Sequence, residues 1–350
     1  MARASASQRL QQAWLSRGPL AWALLPVAAL YGVLLGVRRL LIRFGALPPQ
    51  ALPVPVVVVG NLIAGGAGKT PTVMALVTML RRRGWCPGIV SRGHGRAADQ
   101  VLEVLADTPA ARGGDEPRLL RMRLGAPVVV GRDRVAAARE LLRRHPEVDL
   151  IVSDDGLQHR RLPRVAQVLV FDERGSGNGW LLPAGPLREP MPERVPPRSV
   201  VLYNAPTPST PLRGHIARRA LRGLVPLRDW WAGAPPSPQA LQALAGREVL
   251  ACAGTAHPAR FFDMLRALGL SVRPLPLADH HDFATLPWPA GTDHVVVTEK
   301  DAVKLEAGRV GATRVWVAPL DFETGDAFDA ELSGLLPPPP TRTSDGHPTA

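Results

Sequence analysis

Six consecutive residues, Gly65-Gly66-Ala67-Gly68-Lys69-Thr70, concentrate the most chemistry in this 350-residue chain. Glycines let backbone N–H groups close around phosphate oxygens. A lysine ammonium supplies a point charge for β- and γ-phosphates, and an adjacent threonine hydroxyl is a ligand for Mg2+. Pro71 follows in the first turn of the helix that such a loop opens, where a missing N–H costs little. The first glycine of G-x-x-x-x-G-K-[ST] is replaced by Ile63. A bare glycine turn is the competing reading. Lysine usage weighs against it: Lys69, Lys300 and Lys304 are the three lysines among 42 basic residues, so arginine serves wherever a positive charge suffices. Ala64 stands where partition-type ATPases carry a second lysine. The nearest approach to the guanine-reading N-K-x-D is Glu299-Lys300-Asp301, with Glu where Asn is needed. ATP therefore fits better than GTP.

Carboxylates form the second group. Asp149–Val152 is an apolar run that leads into Asp154-Asp155-Gly156. In a parallel sheet it would end at the carboxyl edge beside the phosphate loop, where one aspartate can serve the Mg2+ shell; a turn with solvated aspartates is the alternative. Gly114-Asp115-Glu116-Pro117 could supply a base for an acceptor hydroxyl, or could cap a helix. Asp279-His280-His281-Asp282 resembles a metal cluster. Neighbours in an extended segment point to opposite faces, however, so one histidine paired to a carboxylate is the expectation. Ser91-Arg92-Gly93-His94-Gly95-Arg96 suits phosphate contacts or a basic surface loop. Asn178–Pro190, apolar and glycine-rich, would shape a substrate pocket or simply pack.

These residues need a frame, and the patterning predicts an α/β one. Val56–Val59 is a β-branched run of the kind that fills a buried parallel strand, and Thr72–Arg83 has helical spacing, so the glycine loop lies between strand and helix. Strands expected at 88–90, 101–105, 126–130, 149–152 and 167–171 alternate with helices at 118–124 and 133–144, as in a doubly wound parallel sheet. Prolines 206, 208 and 211 mark a boundary. Beyond it, strands at 249–253, 271–275 and 294–298 with a helix at 258–268 predict a smaller α/β domain. The expected organisation is an N-terminal membrane-associated helix region (1–46), a P-loop domain (47–203), a smaller C-terminal α/β domain (204–335) and a disordered tail (336–350). Asp115 would then lie on the first domain and the 279–282 stretch on the second, with the gap between the domains a natural place for closure.

Charge placement bears on the partner. No Asp or Glu precedes Asp99, and eleven arginines and one lysine give residues 1–98 a charge of +12, which is the net charge of the whole chain. The remainder is neutral. That pattern, with 5% aromatic residues, disfavours a nucleic-acid binder and points to an anionic surface of lipid headgroups or phosphates. Gly18–Val37 carries no charge over 20 residues, about 30 Å as a helix, with Pro26 expected to kink it. A buried core helix is the alternative, and a cleaved signal peptide fits less well because Arg38, Arg39 and Arg43 follow directly. Arginines on both flanks leave spanning and in-plane placement open. Two cysteines, Cys86 and Cys252, make neither a disulfide framework nor a zinc cluster and suit a reduced, cytosol-facing chain.

Taken together, VVVVGNLIAGGAGKTP, SRGHGR, GDEP, SDDGLQHRRL, GNGWLLPAGPLREP, DHHDF and TEKDAVK, in that order from residue 56 to 304, resemble the tetraacyldisaccharide 4'-kinase family, the lipid A 4'-kinases of Gram-negative bacteria. The resemblance implies γ-phosphoryl transfer from ATP to the 4'-hydroxyl of tetraacyldisaccharide 1-phosphate, giving lipid IVA, at the cytoplasmic side of the inner membrane. It implies that Gly65, Gly66, Ala67, Gly68, Lys69 and Thr70 bind ATP, and that Thr70, Asp154 and Asp155 serve Mg2+. Asp115 would be the base with His280 as its pair, and Arg92, Glu116, Arg188 and Glu189 would contact substrate. His94 stands where the family often has Tyr, and Ile63 replaces a common polar residue. The partners implied are the lipid disaccharide and the membrane surface; no protein partner is deducible. A membrane-bound switch ATPase without a lipid acceptor is the alternative.

Overall fold

The computed structural model describes residues 6–341, apart from Leu47, Pro49, His94, Gly95, Ala97, Ala98, Arg222 and His280. The chain divides into two compact units. The first holds the residues up to Ser91, Asp133–Arg218 and those from Thr324; the second holds Arg92–Arg132 and Arg219–Glu323. This differs from the expected single cut at 204. The segment carrying Arg92, Asp115 and Glu116 belongs to the second unit, together with the 279–282 stretch. Closure of one domain onto another is therefore not what would join Asp115 to that stretch.

In the first unit, six strands lie in the order Pro87–Ser91, Leu150–Asp154, Val56–Gly60, Ala166–Phe171, Ser199–Tyr203, His215–Ile216, all parallel. Val56–Gly60 and Leu150–Asp154 are buried at every position, as strands covered on both faces must be. The register pairs Val59 with Asp154, so both strands end at the same height. Helix Lys69–Arg82 leaves the first of them. Val73, Leu76, Val77 and Leu80, at helical spacing, are buried. Ser199–Tyr203, a strand the patterning did not predict, extends the sheet.

In the second unit, Glu248–Ala253, Ser271–Pro276, His294–Thr298 and Arg314–Ala318 form a parallel sheet edged by antiparallel Val225–Pro226. Its core gathers Leu244, Val249, Ala251, Phe261, Phe262, Leu265 and Val296. Helix Asp115–Leu124 starts at Gly114, whose φ of 90° suits glycine.

The apolar N-terminal stretch is not one helix. Pro19–Ala23 stops at Leu24, and a second helix, Leu25–Arg43, begins with Pro26 in its first turn. The proline therefore opens a helix rather than kinking one. Ala28 alone in that helix is buried, so it is not a core helix. Of the expected tail, residues 342–350 lie outside the described residues.

A close approach at the end of the strand feeding the glycine loop gives a stability test. A Cβ on Gly60 would stand 2.7 Å from Leu157 Cβ and 3.3 Å from its backbone nitrogen. Gly60→Ala is expected to destabilise the fold by about 2 kcal/mol, since backbone cannot step aside. Urea denaturation against wild type checks this; an unchanged midpoint would contradict the packing.

Candidate active site

The glycine loop is held open from outside. Gly65 and Gly68 take φ values of 94° and 86°, a left-handed conformation that glycine adopts freely and that anion-wrapping loops use. Gly68 is the N-cap of Lys69–Arg82 and offers no side chain to the first amides of that helix, which leaves them for an anion. Loop carbonyls are tied back instead. Asn61 Nδ2 donates to Gly65 O (3.1 Å) and Asn204 Nδ2 to Ala67 O (2.9 Å). Arg174 donates to Ala64 O (3.2 Å) and Gly66 O (3.0 Å) while Asp172 grips the other side of its guanidinium. The 178–190 segment adds backbone bonds, Ala64 N to Pro186 O and Arg188 N to Leu62 O. That segment thus packs on the phosphate loop.

Lys69 Nζ donates to Asn61 Oδ1 at 3.1 Å and pairs with Asp155 Oδ1 at 3.6 Å. Arg188 Nη1 reaches both oxygens of Asp155, at 3.0 and 3.3 Å, and Gln158. Burial alone would raise the Asp155 carboxyl, but Lys69, Arg188 and Arg134 outweigh it and hold the group below the ordinary aspartate value. Its backbone sits at φ 48°, left-handed, a strain that aspartate tolerates better than most residues. Asp154, at the end of its strand and almost wholly buried, accepts from Ser91 Oγ at 3.2 Å. Glu189 is buried against Arg160 and Arg39. The structure thus brings together Gly65–Thr70, Asp154, Asp155 and Arg188 at one sheet edge, with Glu189 beside them as an ion-pair partner.

In the second unit, Asp115 and Glu116 open helix Asp115–Leu124, where anionic side chains match the helix dipole. The two remaining lysines meet them. Lys304 Nζ lies 3.5 Å from Asp115 Oδ2 and 3.4 Å from Asp301 Oδ1, and Lys300 Nζ lies 3.3 Å from Glu116 and 3.0 Å from Asp279. Burial works to lower the Lys300 ammonium, but Glu116 and Asp279 hold it raised. All three lysines of the chain therefore sit on candidate-site carboxylates. Glu299 serves the fold instead. Arg123 Nη1, Trp230 Nε1 and Leu320 N all donate to it, and burial raises its carboxyl. It is a structural anion, not a base reader.

His280 lies outside the described residues, as do His94 and Gly95 of the arginine-rich loop. Arg92 is exposed. Around His280, Asp279 binds Lys300, His281 Nδ1 accepts from Phe283 N, and Asp282 caps Ala284 N. Among the described residues no group of three or more His, Cys, Asp or Glu could hold a metal. Asn61, Asp172, Arg174, Asp301, Lys300 and Lys304 join these sites without a motif role that the sequence assigns them. Lysine scarcity is the signal for the last two; the others carry none, since their partners are distant in sequence.

A parallel strand leading into a glycine loop, a helix opened by Lys-Thr, and a neighbouring strand ending in two aspartates define a P-loop nucleotide-binding enzyme of the α/β class. A family model described as tetraacyldisaccharide-1-P 4'-kinase, LpxK, matches residues 20–337. The tetraacyldisaccharide 4'-kinase of Methylibium petroleiphilum is 59% identical over 343 residues, covering 96% of this chain and 95% of that protein. That of Leptothrix cholodnii is 55% identical, covering 94% and 96%. The crystal structure described as the "apo" form of LpxK from Aquifex aeolicus in complex with ATP superposes with a TM-score of 0.72 at 27% identity, covering 90% of this chain and 99% of that one. The chain belongs to the tetraacyldisaccharide 4'-kinase family.

Asn61 links the loop carbonyl to the lysine, so it should set how well ATP is held. Asn61→Ala is expected to raise the KM for ATP about tenfold, the cost of one hydrogen bond to a charged group. Initial rates against ATP concentration decide; an unchanged KM would remove Asn61 from the site.

Proposed function

We propose that the sheet edge of the first unit holds ATP and that Asp115 accepts the proton of the lipid hydroxyl. The chain is a kinase of the lipid A pathway: ATP is its co-substrate, and the 4'-hydroxyl of tetraacyldisaccharide 1-phosphate is its acceptor. The observation that carries the site reading is the Lys69–Asp155 ion pair, with Asp154 ending the strand that lies beside the one feeding the glycine loop. In this reading, amides of Gly65–Gly68 and Lys69 cradle the phosphates. As the 4'-oxygen bonds to the γ-phosphorus and the bond to ADP breaks, the hydroxyl proton passes to the Asp115 carboxylate. Arg188 holds Asp155 in line, and Arg92, Glu116 and Glu189 belong to the substrate side. His280 is the proposed partner of Asp115.

Mg2+ fits the donors present. Thr70, Asp154 and Asp155 offer hard oxygens. A magnesium ion bound through one or two carboxylates, phosphate oxygens and water needs no larger acidic cluster. When bound, it would offset charge on the transferred phosphoryl.

The N-terminal helices suit a membrane surface. Trp14 Nε1 donates to Pro183 O, Tyr31 Oη to Arg188 O and Arg38 to Gln158 O, and Trp22 packs edge-on against Trp180. One side of the helical stretch is thus fastened to the body from Trp14 to Arg39. Val27, Leu30, Val33, Leu34, Val37, Leu40, Leu41 and Phe44 stay exposed. A helix so fastened cannot cross a bilayer without dragging the body in, so it lies in the headgroup plane with its apolar side down. Arginines of the acid-free N-terminal third add attraction to anionic lipid. The inner membrane at its cytoplasmic side, where ATP is available, is the compartment this favours.

Label transfer from γ-³²P-ATP to detergent-dispersed tetraacyldisaccharide 1-phosphate tests the site. Wild type should label the lipid, and Lys69→Ala and Asp115→Ala should each lose at least a hundredfold. ATP hydrolysis with no labelled lipid would favour the switch ATPase. Chelation with EDTA should abolish transfer and readdition of Mg2+ restore it.

Membrane placement has its own test. The chain should cosediment with vesicles containing anionic phospholipid, and Leu30→Glu with Leu34→Glu should release it. Retained binding by the double variant would refute the in-plane helix.

A further inference from the structure

We propose that Lys304 is a positioning residue for the reaction, holding the Asp115 carboxylate ionised and in place, and that Asp301 tempers its pull. This rests on the reading of Asp115 as the base. Lys300 and Lys304 stand four apart, and both meet the acidic first turn of helix Asp115–Leu124. Solvated surface pairs would be of small consequence, but Lys304 is not at the surface. Its side chain is 5% exposed, and its Nζ is enclosed by Asp115, Asp301 and the Phe283 ring, 5.3 Å away. A compact ammonium can serve two carboxylates and a ring face in that space; a planar guanidinium would need more room. In a chain that uses arginine almost throughout, lysine here follows the geometry.

Asp301 is fully buried and fixed independently of Asp115. Gly254 N donates to its Oδ2 at 3.0 Å and Thr298 Oγ1 to the same oxygen at 2.7 Å. Thr298 also caps the short helix Glu299–Ala302. Lys304 is therefore anchored by one carboxylate that never reacts and aimed at another that does. At rest the ammonium favours the ionised form of Asp115, the form able to take a proton. It also opposes proton uptake, since the neutral acid forfeits the ion pair. Asp301 absorbs part of that field and keeps Asp115 from becoming too weak a base. Among the described residues, other charged groups about Asp115 include Glu116 beside it, Lys300 across from Glu116, and Arg118 one turn on, whose guanidinium lies over Trp231 and bonds Val303 O. Asp279, His281 and Asp282 flank the same stretch, and His280 lies between them in sequence.

The test is the pH dependence of kcat/KM for the lipid acceptor, whose acid limb reports the base in free enzyme. Lys304→Met should move the acid limb up by about one pH unit and lower kcat, with the KM for ATP unchanged. Lys304→Arg, which keeps the charge but fits the space less well, should return the limb only part of the way. Asp301→Asn should move it down, because Lys304 then acts on Asp115 alone; this opposite shift is one that loosened packing would not produce. Should Lys304→Met fail to fold, the Asp301→Asn shift still decides. Acid limbs unmoved in folded variants, with Asp115→Asn inactive, would overturn the role of Lys304 alone. Wild-type turnover by Asp115→Asn would overturn the base reading and this proposal with it.

Discussion

The carboxylate of Asp155, clasped between Lys69 and Arg188, is the interaction on which the first unit's site depends. It joins three pieces far apart in sequence: the glycine loop, the end of strand Leu150–Asp154 and the 178–190 segment. Two cations on one anion are stable only where burial is partial and geometry fixed, because each unpaired member would face a desolvation cost. The left-handed backbone at Asp155 is the local strain this arrangement tolerates. Arg188 then extends the connection, since its carbonyl accepts from Tyr31 on helix Leu25–Arg43, whose other side is apolar and exposed. Four groups thus run in contact from the apolar surface to the phosphate loop.

That continuity makes physical sense of an otherwise odd segment. Asn178–Pro190 is rich in glycine and proline and makes no regular strand, yet it is almost wholly engaged. Its carbonyls at Asn178, Pro183 and Arg188 receive Arg17, Trp14 and Tyr31 from one side. Its backbone at Pro186 and Arg188 pairs with Ala64 and Leu62 on the other. Braced from both directions, the segment is fixed without strand pairing, and its glycines and small apolar residues allow the close packing this needs.

Much of this is legible in the sequence because the signals are local. The run VVVV before the glycines specifies a buried strand by β-branching, and GGAGKT specifies a phosphate loop by the demands of φ and of the anion. Strand SVVLY escapes because prolines on both sides mimic a linker, and only its register against Ala166–Phe171 explains it. The division into units is hidden for a related reason: Arg92–Arg132 leaves the first unit and returns to it, and no composition shift marks an excursion whose partners, Lys300 and Lys304, lie nearly two hundred residues away. Pro26 suggests a kink within one long helix, but a proline two residues into a helix is a start signal, and the break at Leu24 accords with it.

Lysine usage follows one rule in each unit taken by itself. Arginine binds planar anions through a rigid fork, and most basic positions here ask nothing else. Lys69 is instead held beside the glycine loop by Asn61 and Asp155, and Lys304 shares a closed space with two carboxylates and a ring. Both settings favour a small charge on a flexible stem. A basic residue that departs from the prevailing choice in a biased composition is therefore informative in proportion to the bias, and its partners show which kind of site selected it.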